Sequence, residues 1–352
     1  MLPTPELQTV AQSFLVDGDL VGADIWTGGH INDSFLLEFH CPDGRKRFLL
    51  QKVNGGVFPE PSKVMENVQR VTEFVSVRAP GLAFLHLIPT KQNEAWLETP
   101  EGDCWRLYPF MGETTALLEV ENERQAHAAA FAFGHFARLL ADLPNPPLHE
   151  VLPGFHDTLA RIRTLEAIAT KADSQLLLEV EDDLSYILEH KDVAGTLMAH
   201  LESGDLPQRV VHNDAKISNV LLDSKTGEAV CVVDLDTVMP GTSLFDYGDM
   251  LRSMCSFAKE DEQALEQVQV NSSLCSAIHR GYLEGVGSMF TEKEKELMPI
   301  SGFIIALELG VRFLTDHLNG NRYFNINRPG QNLDRARVQL KLAKGLKALA
   351  GS

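Results

Sequence analysis

Five polar residues stand at spacings that suit phosphoryl chemistry. His212, Asp214, Lys216 and Asn219 lie in the stretch HNDAKISN, and Asp234 follows in VVDLD. An aspartate beside an acceptor hydroxyl can orient it and accept its proton. Asparagine and aspartate oxygens are hard ligands for magnesium, which bridges nucleotide phosphates. A lysine two residues after the aspartate can neutralise charge on a phosphoryl group in transit. Apolar runs at 210–211, 220–222 and 229–233 flank these residues, so they read as loops between short strands. Such a setting is rigid enough to hold a reacting constellation. A plain surface loop has no need of four polar residues at these intervals and an aspartate at a strand end.

The elements that must position these residues change character along the chain. Residues 22–27, 34–40 and 47–53 read as strands, and CPDG at 41–44 is turn chemistry, so the last two form a hairpin. Residues 61–75 read as a helix with Ser62 as its cap, because Val64, Met65, Val68, Val71 and Phe74 fall at helical spacing. Residues 95–97 and 104–107 form a second hairpin around 100–102. After residue 115 helices dominate: 121–143, which Pro144 ends, then 157–170, 174–202, and from 243 to the end. The predicted fold class is therefore α+β in two lobes. A small β-rich lobe covers residues 1–110 and a large, mostly helical lobe covers residues 111–352.

The 352 residues are 44% hydrophobic and 23% charged, which is ordinary globular composition. Lysine and arginine number 31 against 49 aspartates and glutamates, a net charge of −18. Nucleic acid and anionic membrane are thereby disfavoured as partners, since either needs a basic face, although a single pocket could still be basic. No apolar run reads as membrane-spanning: the most hydrophobic stretches, 128–141 and 299–314, carry His135, Arg138, Glu308 and Arg312. No basic region followed by an apolar core marks a signal peptide at the N-terminus. Cys41, Cys104, Cys231, Cys255 and Cys275 are odd in number, scattered and free of CxxC pairs, which fits reduced thiols and a cytoplasmic location. No G-x-S-x-G elbow supports a hydrolase. His127 and His135 read as helix-face residues rather than metal ligands.

The spacing H-x-D-x-K-x-x-N, followed by a strand-end aspartate, is that of a kinase catalytic loop and its metal ligand. With VVDLDTVMPG and LFDYGDMLR, the chain resembles the aminoglycoside phosphotransferase and choline kinase superfamily, which has a protein-kinase-like fold. GGHINDSF, FLLQKVN, VFPEPSKVMENVQRVTEF and GFHDT extend the likeness over nearly the whole length, nearest to the bacterial N-acetylhexosamine 1-kinases. The resemblance implies ATP as phosphoryl donor, bound between the lobes, and Mg2+ as the metal. It implies Asp214 and Lys216 as catalytic residues and Asn219 and Asp234 as metal ligands.

It also implies roles for residues with weaker signals of their own. Gly28, Gly29 and Asn32, in a loop between two strands, would cover phosphates with backbone N–H groups, although no third glycine follows. Lys52 falls in the third strand, where a kinase keeps the lysine that holds the nucleotide phosphates, and Glu66 matches its helix partner. Tyr108 and Phe110 occupy the hinge that would enclose adenine. Asp246 and Asp249 read as scaffold, and Asp236 either takes a second metal or supports its loop. His30, Asp214, Arg312 and Tyr323 would contact the acceptor. Arg312 lies on an apolar helical stripe and needs a partner, which could instead be Glu308 one turn earlier. His30 could equally be a solvated loop residue. The expected acceptor is the anomeric hydroxyl of an N-acetylhexosamine. Aminoglycosides, choline, homoserine and methylthioribose are acceptors elsewhere in the superfamily, and a nucleotide-binding module without transfer is the other alternative. Monomer and homodimer are both open.

Overall fold

The computed structural model describes residues 4–28 and 31–351. Gly29 and His30, both singled out above, lie outside the described residues. The chain opens with a short helix, α1 (Pro5–Gln12), followed by β1 (Asp19–Ile25), β2 (Asp33–Cys41) and β3 (Gly44–Lys52). Then come α2 (Pro61–Arg78), β4 (Leu97–Glu98) and β5 (Cys104–Pro109). These strands form one antiparallel sheet in the order β1-β2-β3-β5-β4. The expected hairpin closes with Cys41 opposite Gly44, whose φ of +122° suits only glycine.

Both faces of this sheet are covered. One face presents Leu37, Phe39, Phe48, Leu50, Trp105 and Leu107 to Leu7, Val10 and Ala11 of α1, which the sequence reading had not placed. The other face looks toward α2, whose Val64, Met65, Val68, Val71 and Val75 enter the main core. Burying each such side chain is worth about 1.5–3 kcal/mol, so α1 and α2 are held by packing more than by propensity. Ser62 is not the cap of α2: Glu60 takes that place without a side-chain bond. Pro61 opens the helix, where its missing N–H costs nothing.

The second lobe continues with β6 (Thr114–Ala116), α3 (Glu123–Leu139) and α4 (Thr158–Ala169). The stretch expected as one helix over 174–202 is four short ones: α5 (Ser174–Glu179), α6 (Glu181–Glu189), α7 (Lys191–Ala194) and α8 (Thr196–Glu202). His190 donates from Nδ1 to the Tyr186 carbonyl at 2.8 Å at one break. Gly195 stands at another, where a helix interior would cost about 1 kcal/mol. The strand island follows as β7 (Arg209–Val211), β8 (Val220–Asp223), β9 (Ala229–Val232) and β10 (Met239–Gly241). β7 pairs with β10, and β8 lies between β6 and β9.

Four helices complete the lobe: α9 (Ser243–Met254), α10 (Ser272–Val286), α11 (Glu292–Leu318) and α12 (Gln331–Ala350). Glycines let their backbones touch. A Cβ on Gly281 of α10 would stand 2.3 Å from the His127 carbonyl oxygen on α3. One on Gly248 of α9 would stand 2.7 Å from the Ser301 carbonyl oxygen on α11. Against the expectation that no run could span a bilayer, α11 is long and apolar enough to do so by length and composition. It is instead a core helix, with 78% of its most apolar stretch buried against the lobe's other helices. All five cysteines are buried and free.

Candidate active site

The constellation at 212–219 is built by α9. Asp246, in the first turn of α9 and fully buried, accepts the His212 N–H at 2.9 Å and the Asn213 N–H at 2.7 Å. Burial raises its pKa against the hydrogen bonds from those two amides. Asn213 adopts a left-handed φ of 64°, tolerable for asparagine, and its side-chain amide donates to the Thr237 carbonyl at 2.9 Å. Asp246 is thus the scaffold residue expected from the sequence.

His212 joins this loop to the one that carries Asp234. Its Nε2 lies 2.9 Å from the Val233 carbonyl, and its Nδ1 lies 3.3 Å from the Asp214 N–H. A carbonyl only accepts and an N–H only donates, so these partners select the neutral ring protonated on Nε2. Thr237 closes the circuit by donating from its hydroxyl to the His212 carbonyl at 2.7 Å. Phe133 and Phe136 of α3 pack edge-on against the ring.

Asp214, Lys216, Asn219 and Asp234 converge as expected. Lys216 Nζ is 2.8 Å from Asp214 Oδ2, and Asn219 donates from Nδ2 to the same oxygen at 2.8 Å and to the Asp214 carbonyl at 2.9 Å. Burial alone would raise the Asp214 pKa, but the Lys216 ammonium and these bonds bring it down to about 2. Asp234, with a left-handed φ of 61°, is exposed. Among the described residues no hydrogen bond or ion pair ties down its carboxylate. Its confined setting, with the negative charges of Asp236 and Asp214 nearby, pushes its pKa up to about 6. Two non-glycine residues in left-handed conformations, one in each loop, mark this as a place where backbone strain is spent on geometry.

This donor set fits a small divalent cation. Asp214, Asp234 and Asp236 carry three negative charges against the positive charges of Lys216 and Arg106, and Asp234 has no partner among the described residues. The Asn219 oxygen is likewise unengaged among the described residues. Among those residues no group of three or more His, Cys, Asp or Glu side chains is placed to hold a metal alone. Magnesium commonly takes only one or two protein oxygens and fills its shell with phosphates and water.

The expected Lys52–Glu66 pair is absent. Lys52 Nζ bonds to Asp103 at 2.6 Å and lies 5.9 Å from the Trp105 ring, on the sheet face that α1 covers. Glu66 bonds to His149 at 2.6 Å. Successive strand residues point to opposite faces, so the cleft side is held by the preceding residue, Gln51. Gln51 accepts from Nε and Nη2 of Arg106 at 3.0 and 2.9 Å, and Arg106 is paired through Nη1 with Asp236. Sequence reasoning missed Arg106, although a charged residue inside the apolar run CWRLY has to find a buried partner.

Phe110 meets the Trp26 ring edge-on at 5.4 Å, and Arg47 lies over its face at 4.5 Å. Gly28 allows the indole to fold there, since a Cβ would stand 2.5 Å from Trp26 Nε1. Tyr108 is buried beneath Arg106. Asn32 donates to Asp236 at 2.6 Å and accepts the Asn54 N–H at 3.0 Å.

Around Arg312, expected at the acceptor, Glu308 does not pair with that residue. It accepts from Thr158 at 3.0 Å and lies 3.2 Å from His156 Nδ1. Arg312 is half-buried between the Phe155 and Phe324 rings, at 5.1 and 5.6 Å. Arg161, missed from the sequence, is its neighbour. Its Nη2 donates to the Phe155 carbonyl at 3.1 Å, its buried Nε has no partner among the described residues, and burial together with Arg312 lowers its pKa. Tyr323 is exposed, but its backbone is not loose. The Asp316 carboxylate accepts the N–H groups of Arg322, Tyr323 and Phe324 at 2.8–2.9 Å.

A family model described as the phosphotransferase enzyme family matches residues 27–282. An aminoglycoside phosphotransferase from Alicyclobacillus acidocaldarius is similar in structure, with a TM-score of 0.60 and 15% identity over 100% of this chain and 95% of that one. Spectinomycin phosphotransferase in complex with ADP and spectinomycin follows, with a TM-score of 0.58 and 12% identity over 94% of each chain. Plasmodium vivax ethanolamine kinase gives a TM-score of 0.56 and 11% identity over 90% of this chain and 82% of that one. At such identities these structures speak to the fold, the two-lobed kinase-like one seen here. The family match takes in Asn32, Arg106, the 212–219 loop, Asp234 and Asp246 together, and on that ground the chain belongs to the phosphotransferase enzyme family, enzymes that act on a hydroxyl acceptor.

Proposed function

We propose that the protein transfers the γ-phosphoryl group of ATP to a hydroxyl of a neutral, oxygen-rich acceptor, with the anomeric hydroxyl of an N-acetylhexosamine as that acceptor. The nucleotide would lie between a lobe of residues 1–110 and a lobe of residues 111–352. The observation that carries the reading is the junction of Asp214, Lys216 and Asn219 with Asp234, whose carboxylate has no hydrogen bond or ion pair among the described residues.

In the transfer, the acceptor oxygen bonds to the γ-phosphorus, the bond from that phosphorus to the β,γ-bridging oxygen breaks, and ADP leaves. The hydroxyl proton passes to Asp214. A carboxylate with a pKa near 2 is a weak base toward a free alcohol. Asp214 therefore acts first by orienting the hydroxyl, and takes the proton late, as a loose transition state permits. Lys216 supplies positive charge beside it. Asn219 and Asp234 would hold magnesium, which when bound supplies charge neutralisation to the phosphates. Trp26 and Phe110 offer apolar rings at the nucleobase end.

The acceptor class follows from charge. A cationic acceptor such as choline or an aminoglycoside calls for carboxylates around it. Here Arg161 and Arg312 stand together, and the buried Glu308 between them and His156 is engaged with His156 and Thr158. Guanidinium groups suit hydroxyl and carbonyl oxygens, such as those of an acetamido sugar. The test is ATP consumption by purified protein with free sugars, choline, aminoglycosides, homoserine and methylthioribose. Saturable turnover with an N-acetylhexosamine, giving an acid-labile 1-phosphate, is expected. Turnover confined to a cationic acceptor would overturn the acceptor assignment, and no ATP binding at all would overturn the kinase reading.

A further inference from the structure

Lys52 and Glu66 are paired with Asp103 and His149 and not with each other. We infer that Arg106 and Asp236 are the interlobe ion pair of this protein, and that the pair positions the metal-bearing loop and Asn32 for a magnesium nucleotide. The inference rests on the nucleotide-dependent reading given above and names the residues that organise its site.

The pair stands at the centre of a bonded network that crosses the cleft. Arg106 is 1% exposed and Asp236 is 3% exposed, so each is a buried charge whose only opposite partner at contact distance among the described residues is the other. Gln51 holds the guanidinium from β3 with its Oε1 and donates from Nε2 to the Ser34 hydroxyl on β2 at 3.1 Å. Asp236 receives the Asn32 amide at 2.6 Å from the glycine loop. Asn32 in turn accepts the Asn54 N–H at 3.0 Å, and the Asn54 side chain donates to the Ile31 carbonyl at 2.9 Å. Three strands of the first lobe, its glycine loop and the turn after β3 are thereby tied to one carboxylate of the second lobe.

That carboxylate belongs to the short 3-10 turn Leu235–Thr237, which begins right after Asp234. Anchoring Asp236 from the first lobe, while Thr237 is anchored to His212 and Asn213 in the second, fixes the turn at both ends. Asp234 is held in its left-handed conformation by that turn. Arg106 and Asp236 are too buried to touch a phosphate, so they are positioning residues and act through Asp234 and Asn32. A buried pair of this kind brings little net stability, and its best-attested use is to specify one arrangement over others.

The test is calorimetric titration of the full-length protein with ADP, with and without magnesium, before any acceptor is known. Wild type is expected to bind MgADP more tightly than ADP alone. R106K, D236N and N32A should each lose about tenfold in MgADP affinity, while affinity for metal-free ADP changes less than twofold. The R106K/D236N double variant should be no weaker than the worse single, because both break one unit. K52A and E66A should stay within twofold of wild type in both titrations. A variant that only loosens the fold would lower both affinities alike. N32A changes a partly exposed loop residue and carries the test if R106K fails to fold. Retention of the full magnesium effect by R106K or N32A, or its loss in K52A, would overturn the inference alone. Wild-type protein that binds neither form of ADP would overturn the nucleotide reading itself, and the inference with it.

Discussion

The His212 ring and the Val233 carbonyl, 2.9 Å apart, connect the loop of Asp214 to the strand end of Asp234. The two groups that must act on one phosphoryl transfer are therefore linked through one imidazole in a single tautomer, beside the bonds that Asn213 and Thr237 make between the same loops. H212A should leave Asp214 and Asp234 chemically intact but free to drift. A displacement of about 1 Å in such a site can cost on the order of a hundredfold in rate. Steady-state kinetics should show kcat down by about 10- to 100-fold, with the acceptor KM little changed. An unchanged kcat would show that the loops hold their registration without it.

Asp214→Ala should abolish turnover while leaving MgADP binding largely intact. Removal of an orienting and proton-accepting group costs about 10²- to 10⁴-fold. Asp234→Asn should act differently, raising the magnesium concentration needed for half-maximal rate. Activity of Asp214→Ala close to wild type, or an unaltered magnesium titration of Asp234→Asn, would contradict the assigned roles.

Arg161 and Arg312 make a matched pair of tests. Each alanine variant should raise the acceptor KM, by about 10- to 100-fold if a charge-assisted hydrogen bond is lost, and leave the ATP KM alone. Arg312 stacks on Phe155 and Phe324, so R312K would keep the charge but lose the planar contact. Its expected KM lies between wild type and R312A. If R312A lowers the melting temperature with no change in acceptor KM, Arg312 is a packing residue.

Glu308 offers a prediction in pH. Burial alone would raise its pKa, but the His156 ring, Arg312 and the Thr158 hydroxyl hold it below its ordinary 4.5. A carboxyl depressed in the folded state adds stability above its unfolded pKa and loses that contribution as pH falls through the folded value. E308Q should therefore be less stable than wild type at pH 7, by up to about 3 kcal/mol. The gap should begin to shrink below pH 4.5. Denaturant melts at several pH values check this, and a gap that stays constant down to pH 3 would remove Glu308 from the linkage.

The strand lysine shows where sequence reasoning stops. FLLQKV contains two long polar residues in a row, and strand periodicity sends them to opposite faces. Had one face been open to water, polar and apolar residues would have alternated and revealed the phase. With α1 on one side and α2 on the other, both faces are apolar and the alternation is erased. Lys52 looked correct by order along the chain and falls one residue out of phase. Arg106 carried the usable signal, as an arginine in a strand otherwise destined for burial. Its partner, 130 residues away, could not be named from that signal.

What the amino-acid sequence determined by itself is the local chemistry: His212, Asp214, Lys216 and Asn219 within one loop, Asp234 at the next strand end, and the order of a β-rich lobe before a helical one. These are set by nearest neighbours, by turn residues and by the spacing of apolar positions, all of which are written along the chain. The tertiary structure alone decided that Arg106 meets Asp236, that Glu308 takes His156 in place of Arg312, and that Arg161 joins Arg312. Those choices depend on which face of each element turns inward. A buried charge must be satisfied by whatever opposite charge or hydrogen-bonding group the packing brings within about 3 Å, however far apart the two lie in sequence.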